Sequence, residues 1–199
     1  MKIQLIDSSL QMCKAWESQF KGCNDVTIFH GDFFEKSTDC IISPANSFGF
    51  MDAGLDLLIS EVIGWQAQEQ LQKRIKEEYN GELLVGQAVL IETGFAIPFL
   101  IAAPTMRVPM ILKDSVNVYL AARAIFLLLK QNHHRISIVT LSGFGTGVGK
   151  VPYDVCAKQM KQAYDEVWLN KFVFPKTWHD AQVCHTSLFL DEHRDLQKR

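Results

Sequence analysis

The residues best suited to chemistry in this chain of 199 residues follow a short apolar run, Cys40–Ser43. Asn46 comes directly after that run, and Asp56 lies ten residues later, where a helical pattern begins. An amide both donates to and accepts from ribose hydroxyls, and a carboxylate beside a ribose can orient a water or act as a general base. Each residue also has a structural alternative: Asn46 could complete a local turn, and Asp56 could cap its helix and respond to the helix dipole.

A glycine-rich turn lies between another apolar run and a second helical pattern, with four glycines in the seven residues 143–149. Glycine tolerates positive φ and lets several backbone N–H groups converge on an anion. The helix that follows adds free N–H groups and the positive end of its dipole. A phosphate or diphosphate is therefore the expected ligand. The structural alternative is that the glycines only allow a tight backbone turn. The turn is not a P-loop, because no Gly-Lys-Ser/Thr follows, and it lacks the full dinucleotide fingerprint.

Asp32 follows a third strand-like run, in the sequence Gly31-Asp32-Phe33. A carboxylate at a strand end can accept from an exocyclic amine such as that of adenine, while the next backbone N–H donates to the ring. The structural alternative is a turn aspartate that accepts from its own backbone.

The elements that must position these residues alternate between strand and helix patterns. Strands are predicted at 2–6, 26–30, 40–43, 87–92, 98–103 and 136–141, and helices at 9–20, from Leu55 unbroken to Asn80-Gly81, at 116–131 and from Pro152 onwards. Asp7 and Ser8 are expected to cap the first helix, and Ser115 the helix at 116–131. Strands alternating with helices favour a layered α/β sandwich.

The composition restricts the classes of partner. The net charge of −2 provides no basic field, so nucleic-acid binding is not expected. The longest apolar run, residues 95–104, is about half of what a membrane span requires, and the start of the chain does not resemble a signal peptide. We therefore expect one cytoplasmic domain over residues 1–199, with a tail at 168–199 whose pattern favours neither a closing strand nor a packed extension.

Cysteine and histidine spacing indicates no metal site. The five cysteines are an odd number without a Cys-X-X-Cys pair, and the six histidines are scattered. Free, buried thiols in a reducing compartment are the expected state of the cysteines, and no metal is expected.

Taken in order, these motifs resemble those of the macrodomain, an ADP-ribose-binding family. The resemblance covers about residues 25–167 and rests on several ordered matches. They are Gly31-Asp32-Phe33, Ser43-Pro-Ala-Asn46, Asp52-Ala-Gly-Leu-Asp56 as a first phosphate loop, Ala102-Ala-Pro104, and Gly145-Thr-Gly-Val-Gly149 with Pro152 as a second phosphate loop.

The resemblance implies a three-layer α/β/α sandwich around a mixed sheet of about six strands, and a pocket for ADP-ribose that needs no cofactor. Asp32 and the Phe33 backbone would hold adenine, and Asn46 the distal ribose. Asp56 stands where hydrolytic members keep their catalytic carboxylate, with Asn46 beside it in the reaction. The backbone around the diphosphate would come from Gly54, Leu55, Gly145, Thr146, Gly147, Val148 and Gly149.

Two departures from the family pattern bear on function. Asp52-Ala53 stands where hydrolases usually carry glycines, so that Asp52 either points outward as a cap or reshapes the pocket. Gly149 stands where many members place an aromatic that packs on the distal ribose, and Phe144 or Phe50 could replace it.

Three functional hypotheses follow. The first is a hydrolase that releases ADP-ribose from a protein or small-molecule conjugate through Asp56 and Asn46. The second is a module that binds ADP-ribose or a related NAD-derived nucleotide without turnover. The third is an interaction scaffold that uses the aromatic residues of the tail, namely Trp168, Phe172, Phe174 and Trp178.

Overall fold

The computed structural model of the protein describes residues 1–190, which are built around one six-stranded sheet. The strands are β1 (Lys2–Asp7), β2 (Val26–His30), β3 (Cys40–Ser43), β4 (Val89–Glu92), β5 (Phe99–Ala102) and β6 (Ile138–Leu141). The helices are α1 (Leu10–Gln19), α2 (Gly54–Ile63), α3 (Gln66–Glu78), α4 (Asn117–Gln131), α5 (Tyr153–Ala163) and α6 (Trp178–Thr186), and a π-helical turn, Tyr164–Trp168, extends α5.

The strands of this sheet run in the order β2-β1-β6-β3-β5-β4. All neighbours pair in parallel except β4, which is antiparallel to β5 at one edge. The predicted mixed sheet of six strands is confirmed. Because parallel strands end on the same side, the loops after β1, β2, β3, β5 and β6 gather along a single border of the sheet, where open α/β folds bind ligands.

Helices cover both faces of the sheet, which confirms the three-layer sandwich. Helices α1, α4 and α5 form one core with residues such as Trp16, and α2 and α3 form the other with residues such as Leu71. The short strand β3 shows how the sequence serves both cores. Cys40 and Ile42 contribute to the first, and Ile41, which points the opposite way, contributes to the second. A strand buried on both faces reads as a continuous apolar run.

The single helix predicted from Leu55 is wrong, because the chain forms two helices that are separated at Gly64. Gly64 has φ 84° and ψ 149°, a conformation that is essentially restricted to glycine. Trp65 is the N-cap of α3, and Asn80-Gly81 follows the end of that helix as predicted, with the Gly81 N–H donating to the Ile75 carbonyl. The two helices nevertheless pack into the same core on one face of the sheet.

The predicted cap of the first helix is also wrong. Ser9, rather than Asp7 or Ser8, caps α1, since its Oγ accepts from the Met12 N–H at 3.3 Å. Ser115 lies one residue before Val116, the N-cap position of α4, but its Oγ accepts from the Asn117 N–H at 3.4 Å, so its side chain serves the start of the helix as predicted. The error at α1 is of one or two residues, within the usual uncertainty of helix ends.

The start of the tail is fastened to the body by one carboxylate. Asp25 accepts from the hydroxyl of Tyr164 at 2.5 Å and from the indole N–H of Trp168 at 2.6 Å. The helix α6 follows, with a capping box between Thr177 and Asp180 and no buried side chain. The tail therefore forms a helix rather than a closing strand as far as residue 190, and residues 191–199 lie outside the described part of the chain.

A buried amide joins the tail to the α4–α5 layer. Gln159 on α5 is fully buried and accepts from the Tyr119 N–H at 2.9 Å. Its Nε2 donates to the carbonyls of Ser115 at 2.8 Å and Leu188 at 3.4 Å. A buried amide with all of these partners is stabilising, whereas the same amide without them would be costly.

Charged side chains cover the outer side of the edge strand β4. The guanidinium of Arg74 donates to the Leu90 carbonyl at 3.4 Å. Arg135 lies over the Phe99 ring at 4.8 Å and also pairs with Glu92. Long polar side chains therefore cover the lateral edge of the sheet at β4.

The cysteines are free in the described part of the chain, as expected, although not all are buried. Cys13, Cys40 and Cys156 are buried, Cys23 is half-buried and Cys184 is exposed. Burial raises the pKa of the Cys40 and Cys156 thiols, so they stay protonated. Within residues 1–190, no group of three or more His, Cys, Asp or Glu side chains is placed to hold a metal, and no helix is long and apolar enough to cross a membrane.

Replacing Gly64 tests the origin of the α2–α3 break. The Gly64→Ala variant forces a Cβ into a glycine-only conformation, and we expect a loss of about 1–3 kcal/mol in the free energy of unfolding. The measurement is urea denaturation followed by circular dichroism. Gly147→Ala is the control and should leave the stability unchanged, since Gly147 does not have a positive φ and a Cβ there would meet no atom within 4 Å. Equal stability of Gly64→Ala and the wild type would contradict this explanation.

Candidate functional site

The loops that gather at the ends of the parallel strands surround one cleft of about 940 Å³. This volume lies within the range of about 300–1,000 Å³ that is usual for small-molecule sites. Every site residue expected from the sequence lines it. These residues are Asp32, Phe33, Asn46, Gly54, Leu55, Asp56, Gly145, Thr146, Gly147, Val148 and Gly149.

The asparagine loop (residues 44–53) links β3 to α2 and is held by its own asparagine. The Oδ1 of Asn46 accepts from the backbone N–H groups of Phe48 at 3.1 Å and Phe50 at 3.2 Å, and its Nδ2 donates to the Phe50 carbonyl at 2.7 Å. The structural alternative for Asn46 is therefore present, although one Nδ2 hydrogen remains for a ligand. The loop also packs closely on α3, because a Cβ at Gly49 would lie 2.9 Å from Ile75.

Helix α2 begins at the cleft without a cap. Its N-cap is Ala53, which makes no side-chain hydrogen bond, and Gly54 follows with φ 59°. Asp52 is exposed and lines the cleft, so its expected alternative role as a cap is wrong. The first N–H groups of α2 and the positive end of its dipole are left open to an anion.

Asp56 is a buried carboxylate in the first turn of α2. It is 9% exposed, and its Oδ1 accepts from the hydroxyl of Ser43 at 2.6 Å. Ser43 and Ile41 lie on the same face of β3, which is the face that α2 covers. Burial raises the pKa of Asp56 to about 6, and the hydrogen bond from Ser43 opposes that rise. The side chain does not cap α2, and a carboxyl with such a pKa can exchange a proton near neutral pH.

The glycine loop (residues 142–149) links β6 to α5 and forms the opposite wall. Gly145 has φ 67°, and the Val151 N–H donates to its carbonyl at 3.1 Å. In the described part of the chain, the N–H groups of Thr146, Gly147 and Val148 donate to no protein acceptor. Three unpaired donors in succession make an anion-binding concavity.

The glycine loop is fastened where it leaves the sheet. Asp7, at the end of β1, accepts from the Gly143 N–H at 3.1 Å and from the Ser9 N–H at 2.8 Å. Strands β1 and β6 are parallel neighbours in which Leu5 pairs with Leu141, so Asp7 stands opposite Gly143. One carboxylate thus holds the starts of the glycine loop and α1 together.

Asp32 and Phe33 stand at the β2 end of the cleft. Asp32 is exposed, and its Oδ1 accepts from the Phe34 N–H at 2.7 Å, as the turn alternative predicts. Its second carboxylate oxygen has no protein donor among the described residues. The Phe33 ring is buried and meets the Phe34 ring edge-on at 5.2 Å. The turn leaves one carboxylate oxygen available to a ligand.

The backbone geometry of the glycine loop explains why residue 149 is a glycine. A Cβ there would lie 2.5 Å from the Gly145 carbonyl oxygen, so no side chain fits. Of the two aromatic replacements expected from the sequence, Phe144 is fully buried in the core and is excluded. Phe50 is exposed and lines the cleft, and it is the ring that remains available.

The cleft is acidic. Among the described residues that line it, Asp7, Asp32, Asp52, Asp56 and Glu61 carry carboxylates, whereas Arg107 is the single cation. An anionic ligand would therefore depend on backbone N–H groups and helix dipoles rather than on side-chain charge.

Sequence reasoning missed three contributions to the cleft. The sequence assigns no role to Ser43 within its motif. In the structure it lies on the face of β3 that α2 covers, and its hydroxyl donates to Asp56. Asp7 needs the strand order to be placed beside Gly143. The buried Ser142 hydroxyl lines the cleft and has no hydrogen-bond partner among the described residues.

Comparisons with known proteins agree with this geometry. A family model described as Macro domain matches residues 42–160. An uncharacterized protein of Aquifex aeolicus (strain VF5) is 34% identical over 137 residues, which are 68% of this chain and 78% of that protein.

Solved structures show the same fold at low sequence identity. The macrodomain of Mycobacterium tuberculosis DarG has a TM-score of 0.60 and 18% identity, and the match covers 70% of this chain and 90% of that chain. The Oceanobacillus iheyensis macrodomain with ADP has a TM-score of 0.60 and 21% identity, with 72% of this chain and 76% of that chain covered. A point variant of the same macrodomain with ADPR has a TM-score of 0.58 and 21% identity, with 67% and 72% covered.

The buried carboxyl predicts a pH-dependent stability. Its pKa is 3.8 in the unfolded chain and about 6 in the folded one, so folding favours the protonated form and the ionised form costs stability as the pH rises through 6. The Asp56→Asn variant keeps an acceptor for Ser43 and removes the charge, and we expect it to be more stable than the wild type by up to about 3 kcal/mol at pH 7. The measurement is chemical denaturation between pH 4 and 7, over which the difference should shrink as the pH falls. A wild type as stable as the variant at pH 7 would disprove the cost of the buried charge.

Proposed function

Because the chain belongs to the Macro domain family, we propose that its cleft binds ADP-ribose, free or attached to a protein or small molecule, and that the chain hydrolyses the ADP-ribosyl linkage. The observation that carries this proposal is the buried Asp56 in the first turn of α2, in a cleft whose opposite wall carries the unpaired backbone N–H groups of the glycine loop. The Oceanobacillus iheyensis macrodomain structures with ADP and with ADPR support the ligand class.

The order of residues along the cleft gives the ligand a direction. The free carboxylate oxygen of Asp32 would accept from the adenine amine while the Phe33 N–H donates to the ring. The distal ribose would lie at the other end, against Asn46 and Asp56. The diphosphate would lie between them, on the N–H groups of the glycine loop and of the first turn of α2.

The diphosphate would be bound without side-chain cations. Arg107 is already paired with Glu82 at 2.6 Å, and the other charged residues of the cleft are carboxylates. Two uncapped backbone segments and two helix N-termini, those of α2 and α5, supply positive potential instead. Such donors are fixed by the fold, so they need no reorganisation when the ligand enters.

Asp56 would act as the general base for hydrolysis. With a pKa of about 6 it is mostly ionised at neutral pH and still basic enough to accept a proton. It would take a proton from a water whose oxygen forms a bond to the anomeric carbon of the distal ribose. The bond from that carbon to the acceptor breaks, and a proton returns to the leaving acceptor. The Ser43 hydroxyl would keep the carboxylate oriented toward the cleft.

A non-catalytic binding module is the second candidate, and one observation favours it. The Asn46 amide, expected beside Asp56 in the reaction, already makes three hydrogen bonds within its own loop. An amide in this arrangement shapes the loop and keeps little capacity to position a water. Binding without turnover would leave Asp56 as a contact to the ribose hydroxyls.

Base selectivity tests the adenine end of the cleft. We expect the wild type to bind ADP-ribose about 10–100-fold more tightly than inosine diphosphate ribose, which lacks the exocyclic amine, because a hydrogen bond to a charged group is worth about 1.5–3 kcal/mol. Asp32→Ala should bind the two ligands with similar affinity. Isothermal titration calorimetry measures both. Equal affinities in the wild type would remove Asp32 from base recognition, and absence of heat with either ligand would refute binding.

The pH profile of hydrolysis tests Asp56. A general base works when ionised, so the single-turnover rate of ADP-ribose release from a mono-ADP-ribosylated protein should rise through about pH 6 and then level off. Asp56→Asn should reduce that rate by about 100-fold or more while ADP-ribose still binds. Asp154→Asn, which removes an exposed carboxylate from the first turn of α5, is the control. Binding without release by the wild type would establish the binding module instead.

A further inference from the structure

The crossing loop (residues 106–112) runs from one wall of the cleft to the other. Met106 forms a parallel bridge with Asn46, and the Ser47 N–H donates to the Arg107 carbonyl at 3.2 Å. At the far end the Leu112 N–H donates to the Gly149 carbonyl at 2.7 Å. The loop is thus fastened to the asparagine loop at its start and to the glycine loop at its end.

Between these two anchors the crossing loop presents apolar side chains to solvent. Val108, Met110 and Ile111 are exposed, as is Pro109 between them. Phe50 and Val148, from the two loops to which the crossing loop is fastened, are exposed as well and line the cleft. We call Phe50, Val108, Met110, Ile111 and Val148 the acceptor patch. Each of the five is between 45% and 60% exposed.

Isolated apolar side chains on a surface need no explanation, whereas a concentration of them beside a cleft indicates a binding surface. Leu112, the next residue in the same loop, is buried and closes the second anchor. Within one loop, Leu112 is thus buried while the four residues before it, 108–111, are exposed to solvent.

The charges around the patch carry both signs, because the exposed Lys113 and Lys150 lie two residues from Ile111 and Val148. Asp52 and Glu61 line the neighbouring cleft, and Glu82 holds Arg107, the single cation among the described lining residues. Protein–nucleic acid contacts rely on lysine and arginine at the phosphates. A rim of mixed charge around an apolar patch lacks the basic field that a phosphodiester chain requires, and it suits an uncharged or apolar polypeptide segment.

We propose that the acceptor patch binds apolar side chains of a polypeptide that carries the ADP-ribose, next to the modified residue. This inference rests on the proposed function, which orients the distal ribose toward Asn46. Met106 pairs with Asn46, so a substituent that leaves the anomeric carbon emerges beside the crossing loop. Apolar residues within one or two positions of the modified side chain would then lose water against Val108, Met110 and Ile111.

The test compares four probes in binding to the wild-type chain by calorimetry. They are free ADP-ribose, a peptide that carries ADP-ribose through a hydrolysis-resistant linkage with leucines on both sides, the same peptide with serines, and an ADP-ribosylated oligonucleotide. We expect the leucine peptide to bind about tenfold more tightly than the serine peptide, as for one or two apolar groups entering a hydrophobic site. The oligonucleotide should bind no better than free ADP-ribose.

Two variants assign the preference to the patch. Met110→Ser and Ile111→Ser change exposed side chains, so the fold should persist, and each should reduce the preference for the leucine peptide several-fold while the affinity for free ADP-ribose stays the same. Val173→Ser is the matched control, since Val173 is an exposed apolar residue of the tail that belongs neither to the crossing loop nor to the cleft lining. It should leave all four affinities unchanged.

The outcomes separate the two proposals. If free ADP-ribose does not bind, the proposed function fails and the acceptor site with it. If free ADP-ribose binds but the two peptides bind alike, or the oligonucleotide binds most tightly, the acceptor site alone fails. It also fails if sedimentation shows a wild-type dimer that Ile111→Ser dissociates, because a second copy of the chain would then cover the patch.

Discussion

The parallel alignment of five strands is the constraint on which the rest of the molecule depends. It delivers the loops after β1, β2, β3, β5 and β6 to a single border, so residues as distant in sequence as Asp7 and Gly143 become hydrogen-bonded neighbours. The helices that follow β3 and β6 then begin at this border, with their free N–H groups directed to the same space. The antiparallel strand β4 lies at the far edge of the sheet and contributes no lining residue to the cleft.

This architecture separates the two electrostatic tasks of the cleft. Attraction of an anion would fall to backbone dipoles, which cannot be titrated, because the charged side chains that line the cleft are acidic except for Arg107. The acidic surroundings do not by themselves explain the raised pKa of Asp56, whose first cause is loss of water. Ser43 supplies one hydrogen bond and so limits the rise. The balance leaves a carboxyl that is ionised at neutral pH and protonated in mild acid.

Much of the fold and the site could be predicted from the sequence, because the informative signals are local. The strand ends at Asp32 and Asn46 and the glycine-rich turn at 143–149 are all visible within a few residues. The break at Gly64 was missed because a single glycine inside an apolar period is usually tolerated in a helix. The roles of Ser43 and Asp7 could not be found, since each depends on which strands are neighbours. Gly149 likewise needed the position of the Gly145 carbonyl, which only the folded loop fixes.

The edge strand β4 carries a consequence for behaviour at high concentration. An exposed edge with free carbonyl and N–H groups is a template for pairing with another chain. Here the Arg74 guanidinium occupies the Leu90 carbonyl, and Arg135 and Glu92 place charge at the other end of the strand. A neighbouring strand would have to displace these groups before it could pair. The edge of the sheet far from the cleft is thereby protected against edge-to-edge pairing.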